Sequence, residues 1–577
     1  MEKYKEAYTA WLEAPGIDEE TKAELRAIEG DEKEIEDRFY CDLEFGTAGL
    51  RGIIGAGTNR MNKYVVRRAT QGLSNYILKN AEPGRELSVA IAYDSRHFSK
   101  EFSDEAARTF AANGIRAYRF EDLRPTPELS FTIRKLGCIA GINVTASHNP
   151  SNYNGYKVYW EDGAQITPPH DSGIMAEVLA IEDLMTCRTM SREDAEKAGL
   201  YVTIGKEVDD AFIGCVEDTI VDKEMIRRMA EDITIVYTPL NGAGYNSVMR
   251  VMNDLGFKKV YTVPEQSVPD GDFPTCPYPN PEMPETFTLA LKLAKEKDAD
   301  IVLATDPDSD RLGMYVKNEA DGEYVLFNGN MTASLLCEYI LGSRKYRGTL
   351  PADGCVMKTI VSTDLMRAVA SYWGCETIEC LTGFKWMGRE ILRQEKEGNI
   401  RYQFGMEESY GCLIGTYARD KDAVSAVASL CEAAAYYKSQ GKTLIDAMTD
   451  MYIKYGYYRE HTKSVAFPGK EGKELMAALM EKLRAQTPTE IGGFKVLQKK
   501  DYQKDEVLDM ATGKVTPTGL PKSNVLLYKL EDDAWICVRP SGTEPKVKFY
   551  FGIKGADPAD AEEMVQNFVA FIDAWVG

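Results

Sequence analysis

The sequence predicts an α/β protein that ends in a domain of different type, and three observations carry that prediction. Helical and extended patterns alternate from about residue 61, the same rhythm restarts near 206 and again near 326, and from about 460 the order becomes strand, helix, several strands, helix. At 577 residues the chain is too long for one hydrophobic core, and about four domains fit its length.

In order, residues 1–40 read as two helices of mixed charge, with Pro15-Gly16 as the breaker between them. A helix over 65–79 precedes a strand over 87–93, and a helix over 100–113 leads to another extended run. A strand over 139–144 then reaches a serine turn. After residue 206 a strand over 233–237 ends in Thr238-Pro239-Leu240-Asn241-Gly242, and a helix over 287–297 leads into a strand over 299–304. The third pass closes with a long helix over 423–439, and the last domain ends in a helix over 559–575. Alternation of this kind favours layered sheets with parallel strands. No short-period repeat or low-complexity linker marks the joints, so the domains are placed at 1–205, 206–325, 326–459 and 460–577.

Composition narrows the function. A formal net charge of −21 argues against a nucleic-acid or anionic-membrane partner, so an anionic small substrate must be held by locally placed Arg, Lys and backbone N–H groups. The 12 cysteines are scattered without a CxxC pair and read as reduced and mostly buried. The charged start Met1-Glu2-Lys3-Tyr4-Lys5-Glu6 lacks an apolar signal region, and no run approaches the ~18 apolar residues that span a bilayer. The expected location is the cytoplasm.

Two distant segments look like halves of a phosphoryl-transfer site. Thr145-Ala146-Ser147-His148-Asn149-Pro150 offers a hydroxyl on a tight turn after an apolar strand, where open α/β sheets gather their ligands. Asn152-Tyr153-Asn154-Gly155-Tyr156-Lys157 follows and brings a lysine to the same neighbourhood. A serine hydrolase is disfavoured because G-x-S-x-G is absent and the chain holds only four histidines. The second segment, Asp306-Pro307-Asp308-Ser309-Asp310-Arg311, sets three carboxylates at alternate positions. An EF-hand needs Gly and Glu where Arg311 and Lys317 stand. A haloacid-dehalogenase-type loop with Asp306 as nucleophile and an all-carboxylate Mg2+ loop completed by a phosphate oxygen both remain. A merely solvated turn is disfavoured, since three crowded like charges repel without a cation.

Further loops suit a sugar phosphate. Glu407-Glu408-Ser409-Tyr410-Gly411 offers carboxylates and a hydroxyl for vicinal sugar hydroxyls. Arg539-Pro540-Ser541-Gly542-Thr543-Glu544-Pro545 joins two strand-like runs and makes a phosphate cradle. Gly46-Thr47-Ala48-Gly49-Leu50-Arg51-Gly52 presents one arginine on a glycine-rich loop, and Asp94-Ser95-Arg96 offers another after a strand.

Taken in order, GTAGLRG, TASHNP, DPDSDR, GMEESYG and RPSGTEP resemble the α-D-phosphohexomutase superfamily of phosphoglucomutases and phosphomannomutases, across nearly the whole chain. EFGTAGLRG and HNPSNYNGYKVY are most similar to the branch containing bacterial α-phosphoglucomutases and phosphopentomutase-like relatives. The resemblance implies three related mixed α/β domains plus a C-terminal α+β domain of TATA-box-binding-protein-like shape, around a central cleft. It implies that Ser147 carries the phosphate and that Asp306, Asp308 and Asp310 bind one Mg2+, with a phosphoserine oxygen of Ser147 completing the site. Lys157 matches a lysine that acts as general acid/base, and Arg51 and His148 lie in matching active-site segments. Glu407 and Ser409 match the loop that grips sugar hydroxyls, Gly383 and Lys385 the loop that distinguishes sugar orientations, and Arg539, Ser541, Gly542 and Thr543 the loop that holds the non-reacting phosphate. Asn241 departs from the histidine common in relatives, and Lys546 and Lys548 stand where others often carry arginine.

The implied activity interconverts glucose 1-phosphate and glucose 6-phosphate through a phosphoserine enzyme and glucose 1,6-bisphosphate, which also serves as primer. Alternatives are phosphopentomutase, phosphomannomutase or glucose 1,6-bisphosphate synthase activity, with an aspartyl-phosphate phosphohydrolase and a non-enzymatic carbohydrate binder further off. The implied partners are small sugar phosphates. Oligomeric state is not legible in the sequence.

Overall fold

A computed structural model of the chain describes residues 3–44, 49–467, 471–541 and 546–576. Two compact units emerge: Met1–Asn328 with Phe384–Ile400 and Tyr410–Gly441, and Gly329–Gly383 with Arg401–Ser409 and Lys442–Gly577.

The first unit opens with three helices, Lys3–Glu13, Glu19–Ala27 and Glu32–Phe39, where the sequence reading expected two. The additional break falls at Glu29-Gly30-Asp31: Gly30 adopts φ 89°, and the Asp31 carboxylate accepts the Glu34 N–H at 3.1 Å to cap the third helix. Trp11, Ile17, Leu25, Ile35 and Phe39 close over Ala56 and Tyr64. Helix Lys63–Asn80 starts where the Asn62 side chain accepts the Tyr64 and Val65 N–H groups.

Two sheets follow within this unit. The first runs in the order Gly49–Ile53, Tyr153–Trp160, Ala140–Val144, Ser88–Tyr93, Arg116–Phe120, Tyr201–Ile204. The second runs Tyr324–Phe327, Leu312–Lys317, Ile301–Thr305, Thr234–Thr238, Lys259–Thr262. Both are mixed rather than parallel throughout. Their middles are parallel, but Tyr153–Trp160 is antiparallel to both neighbours, as is Leu312–Lys317. The reason is local: each of these strands returns straight from a short loop after its predecessor, leaving no crossover helix to restore direction. Ala140–Val144 and Ile301–Thr305 are buried at every residue, as central strands covered on both faces must be.

In the second unit, Glu376–Cys380, Cys355–Thr359 and Tyr402–Glu407 pair in parallel. The chain then builds an antiparallel sheet in the order Tyr457–Ala466, Lys546–Gly555, Trp535–Pro540, Leu526–Leu530, Phe494–Asp501, Glu506–Asp509, Val515–Thr516. Helices Gly472–Ala485 and Pro558–Val576 cover one face over Val496, Leu526, Tyr528, Ile536 and Phe549. Mixed α/β sheets followed by an α+β C-terminal segment are the expected fold class. Helix Leu444–Tyr455, absent from the sequence reading, is held by a reciprocal Thr443/Asp446 capping box. Among the described residues no helix is long and apolar enough to cross a membrane.

Candidate active site

The serine turn is held from beneath by its own backbone. Thr145 Oγ1 accepts the Ser147 N–H at 2.8 Å and donates to Asp94 Oδ2 at 2.6 Å, which bends the chain until Ser147 sits at φ 51°. The Arg96 guanidinium, 3% exposed, donates to the carbonyls of Ser147 at 2.5 Å, Pro150 at 2.7 Å and Tyr153 at 3.2 Å, and also to that of Asn149. Arg96 therefore staples the loop and is spent on it; it is not the free phosphate-binding arginine its position after a strand implied.

The aspartate loop is equally constrained. Asp306 Oδ1 accepts the backbone N–H groups of Asp310 at 3.1 Å and Arg311 at 3.0 Å, while Oδ2 accepts Ser147 Oγ–H at 2.7 Å. The structure thus joins two segments 159 residues apart in one hydrogen bond. Asp308 Oδ2 accepts Lys157 Nζ at 2.6 Å and Thr126 Oγ1 at 2.8 Å. Asp310 Oδ2 lies 3.3 Å from both Lys157 Nζ and Lys421 Nζ. One oxygen from each of the three carboxylates lies within 4.8 Å of the others, and all three residues are buried.

Electrostatics in this cluster are lopsided. Burial, then the charges of Asp308 and Asp310, push the Asp306 carboxyl well above the usual range. Burial acts the same way on Asp308 and Asp310, and Asp308 adds to it at Asp310, but Lys157, joined at Asp310 by Lys421 and Arg311, wins and holds both below it. Asp308 Oδ1 and Asp310 Oδ1 are buried with no hydrogen-bond partner among the described residues. Two orphaned carboxylate oxygens inside an all-oxygen set are the donors a hard divalent cation takes, so these residues fit Mg2+.

Of the remaining predicted residues in this unit, Lys157 lies on Tyr153–Trp160 in register with Asn143 and with Gly49. The sequence reading asked burial and neighbouring cations to bring it toward neutrality. Burial does pull its pKa down, but Asp308 and Asp310 outweigh that and hold it raised. His148 Nδ1 stands 3.3 Å from Ser147 Oγ, and its imidazole is pushed well below its ordinary pKa by burial and then by Arg311 and Arg51, so it is neutral. Exposed Arg51 donates to Asn149 Oδ1 at 3.1 Å. Lys385 borders a cavity of about 670 Å3 with Trp160, His170 and Arg389, where burial lowers its pKa.

In the second unit, Glu407 is buried and its Oε1 accepts the Gly383 N–H at 2.9 Å, while Gly383 itself has φ 107°. Ser409 is half-buried beside it. Neighbouring Glu408 accepts from Thr359 Oγ1 at 2.8 Å and Ser362 Oγ at 3.2 Å. Arg539 pairs in register with Lys548 and hydrogen-bonds the Tyr550 side chain; the Ser541 N–H donates to Lys546 O at 2.8 Å. Gly542 and Thr543 lie outside the described residues. Gly383 and Lys385 fall in different units.

Three residues at the carboxylate cluster escaped the sequence reading. Asn143 Nδ2 donates to Thr126 Oγ1 at 2.7 Å, and Thr126 donates through N and Oγ1 to Asp308 O and Oδ2, both at 2.8 Å. This relay ties the serine strand to the aspartate loop. Lys421 comes from Arg419-Asp420-Lys421-Asp422, which reads as a solvated charge run yet is buried throughout. A Cβ on Gly411 would lie 2.0 Å from Lys421 Cδ, so that glycine makes room for the lysine stem.

Comparison with known proteins matches this architecture. Residues 42–185, 210–322 and 328–455 match phosphoglucomutase/phosphomannomutase alpha/beta/alpha domains I, II and III, and residues 493–570 match the C-terminal domain. Phosphoglucomutase of Staphylococcus epidermidis is 34% identical over 522 residues, covering 90% of this chain and 92% of that protein. The Staphylococcus aureus USA300 phosphoglucomutase is 35% identical over 544 residues, covering 93% and 95%. Among solved structures, a phosphoglucomutase/phosphomannomutase family protein from Burkholderia thailandensis aligns with TM-score 0.64 at 19% identity, over 92% of this chain and 97% of that one. Parafusin, a phosphoglucomutase from Paramecium, aligns with TM-score 0.68 at 17% identity, over 92% and 95%. The buried serine–aspartate junction therefore sits in a chain that belongs to the phosphoglucomutase/phosphomannomutase family.

Proposed function

We propose that this protein is a phosphoglucomutase that interconverts glucose 1-phosphate and glucose 6-phosphate through a phosphoserine at Ser147. The observation that carries the reading is the 2.7 Å contact of Ser147 Oγ with Asp306 inside a buried three-carboxylate cluster. In one half-reaction a sugar hydroxyl oxygen bonds to the phosphorus of phosphoserine 147, the P–Oγ bond breaks, and a hexose 1,6-bisphosphate results. In the other, Ser147 Oγ takes back the opposite phosphate. Such transfer needs positioning and charge neutralisation above all. Mg2+ held by Asp306, Asp308, Asp310 and a phosphoserine oxygen would supply Lewis-acid neutralisation at the transferring group.

The chain's own residues divide the remaining work. Lys157, kept charged by Asp308 and Asp310, is the proposed acid/base: it gives its proton to the oxygen that leaves phosphorus and regains one from the attacking hydroxyl. Neutral His148 stands with Nδ1 3.3 Å from Ser147 Oγ, whose own proton goes to Asp306, and Arg51 orients the loop through Asn149. Glu407 and Ser409 bind sugar hydroxyls, Gly383 and Lys385 sense sugar orientation, and Arg539, Ser541, Gly542 and Thr543 bind the phosphate that is not reacting. Glucose 1,6-bisphosphate is the proposed primer, the cytoplasm the proposed location, and the joints at 205, 325 and 459 the proposed domain boundaries.

An aspartyl-phosphate hydrolase using Asp306 is disfavoured, because Oδ1 of that carboxylate is held by two backbone N–H groups and Oδ2 faces the Ser147 hydroxyl. Chemistry of the phosphoenzyme separates the two: phosphoserine survives acid, whereas hydroxylamine cleaves an acyl phosphate. Comparing kcat/KM for glucose 1-phosphate, mannose 1-phosphate and ribose 1-phosphate tests the substrate. Glucose is expected to lead, and glucose running well below ribose would overturn the assignment.

A further inference from the structure

The aspartate loop is gripped from outside by the starts of two helices. The Thr126 N–H, first in helix Thr126–Lys135, donates to Asp308 O at 2.8 Å, and the Ala243 N–H, just before helix Gly244–Leu255, donates to Pro307 O at 2.7 Å. A Cβ on Gly244 would lie 2.6 Å from Ser309 Oγ, so this second helix start already presses on the loop. A change in the spacing of the two starts is therefore passed to the backbone of Pro307 and Asp308. In the first turn of each helix a side chain bridges to the other. Glu128 is 1% exposed, and its Oε2 accepts Ser247 Oγ–H at 3.3 Å. Its carboxyl also contacts Asp209 on the first turn of a third helix, Lys206–Glu217.

Two carboxyl groups in contact do not both ionise unless cations neutralise both. One arginine serves this pair. Arg124 sets its fork on Asp209, Nε to Oδ1 and Nη2 to Oδ2, both at 2.8 Å, while its Nε stands 3.8 Å from Glu128 Oε1. No N–H or O–H donates to buried Glu128 Oε1 among the described residues. The other charged groups on these helix starts do not alter the balance: Lys206, Asp210, Arg250 and Asp254 pair among themselves, and exposed Glu121, 3.6 Å from Arg124, adds a further acid. An acid in the first turn of a helix is ordinarily favoured as the anion. At Glu128 the adjoining carboxylate and the missing donors outweigh that. A proton on Glu128 resolves both, because its O–H donates to Asp209 and the pair then carries one charge, matched by Arg124. Burial and then Asp209 push the Glu128 carboxyl well above the usual range; burial acts the same way at Asp209, but the bond from Arg124 outweighs it and holds that carboxyl below.

We propose that Glu128, carrying its proton, is a positioning residue for the Mg2+ loop: by donating to Asp209 and accepting from Ser247 it fixes the spacing of the two helix starts that hold Pro307 and Asp308. Its side chain meets Arg124, Asp209 and Ser247, and it acts on the carboxylate cluster through the starts of its own helix and of the Ser247 helix. This role depends on Asp306, Asp308 and Asp310 holding Mg2+, as proposed above. An ionised Glu128 would need Arg124, which Asp209 already occupies. The two states are chemically separable: a neutral acid and a side-chain amide can both donate to Asp209, whereas a carboxylate cannot.

Mg2+-dependent thermal stabilisation of the full-length protein tests this, together with infrared difference spectra. Four proteins are compared: the unaltered chain, Glu128→Gln, Glu128→Leu and Ser247→Ala. Glu128→Gln keeps a donor toward Asp209 and is expected to hold the half-saturating Mg2+ concentration within about twofold, whereas Glu128→Leu should raise it about tenfold. Ser247→Ala, which cuts the bridge at its far end, should raise it about threefold. In the infrared, the carbonyl band of a protonated carboxyl group should be present in the unaltered chain and diminished in Glu128→Gln. Glu128→Gln weakening Mg2+ binding as much as Glu128→Leu does, or leaving that band undiminished, overturns the proposal. Unchanged Mg2+ affinity in Glu128→Leu overturns it too, as does unchanged affinity in Ser247→Ala where Glu128→Leu does not fold. If Mg2+ fails to stabilise the unaltered chain, the metal site itself falls and this role with it; a normal response there with unchanged variants removes the role of Glu128 alone.

Discussion

The serine loop and the aspartate loop are built on one plan and filled with opposite chemistry. Each follows a strand buried at every residue, Ala140–Val144 or Ile301–Thr305, and each returns on an antiparallel strand, Tyr153–Trp160 or Leu312–Lys317. In both sheets the order from the return strand inward is return strand, outgoing strand, then further parallel strands, three in the first sheet and two in the second. Both loops place a serine in the left-handed region, Ser147 at φ 51° and Ser309 at φ 55°. The contents differ in sign: Arg51, His148 and Lys157 surround the first loop, whereas three carboxylates fill the second. Apolar strands and backbone geometry thus set the platform, and a few tip residues set the reaction. Because unpaired buried charge is strongly unfavourable, each loop completes the other.

Removing the chemistry from each loop should expose this division. Ser147→Ala is expected to lower kcat by on the order of 10^4-fold or more and to abolish acid-stable labelling from a labelled hexose bisphosphate. Labelling that persists in Ser147→Ala would break the division at once. Asp308→Asn is expected to cost about 10^2–10^3-fold in kcat, with the Mg2+ concentration needed for half-maximal rate rising. It also removes the partner of Lys157, so a pH–rate profile should move with it. An Asp308→Asn protein with unaltered Mg2+ dependence would remove the aspartate loop from the reaction.

The loop-to-loop relay comes next in size. Thr126→Val deletes the hydroxyl that links Asn143 to Asp308 but keeps the shape. About 10–100-fold weaker Mg2+ affinity is expected, read by metal-dependent thermal stabilisation as well as by rate, with Thr126→Ser restoring it. If Thr126→Val lowers stability without touching Mg2+ affinity, the relay is structural only.

What could be read in advance follows from how local each signal is. Ser147, Asp306, Asp308 and Asp310 announce themselves because residue type and spacing within a few positions carry the chemistry. Ala423–Ser439 and Ala140–Val144 were legible because their apolar patterns are long and unambiguous. Thr126 and Lys421 were not, since each acts on a carboxylate far along the chain and nothing in its own neighbourhood marks it. Arg96 misled for the same reason: an arginine after a strand looks available until the fold wraps a loop around it. The antiparallel return strands were missed because alternation reports the presence of elements but not their direction, which the short loops after Val144 and Thr305 decide.

The smallest expected effect tests the shared platform itself. Each loop is pressed by a glycine from outside it: a Cβ on Gly155 would meet Thr145 O at 2.5 Å and Leu50 O at 2.9 Å, and one on Gly242 would meet Pro307 Cα at 2.4 Å. Gly155→Ala and Gly242→Ala should each destabilise the protein by about 1–3 kcal/mol, as overpacking does, measured by denaturant unfolding. The two should not be equal. Gly155 sits in a strand paired on both sides, to Leu50-Arg51-Gly52 through the Arg51 register and to Thr145 through its own carbonyl, so its backbone has nowhere to go. Gly242 follows Leu240 and Asn241, both at positive φ in a turn outside the sheet ladder rather than between two paired strands. Gly155→Ala is therefore expected to cost more stability and to slow phosphorylation of Ser147, while Gly242→Ala mainly weakens Mg2+ binding. Equal costs, or Gly242→Ala being the worse of the two, would mean that the aspartate loop and not the serine loop is the rigid half of the pair.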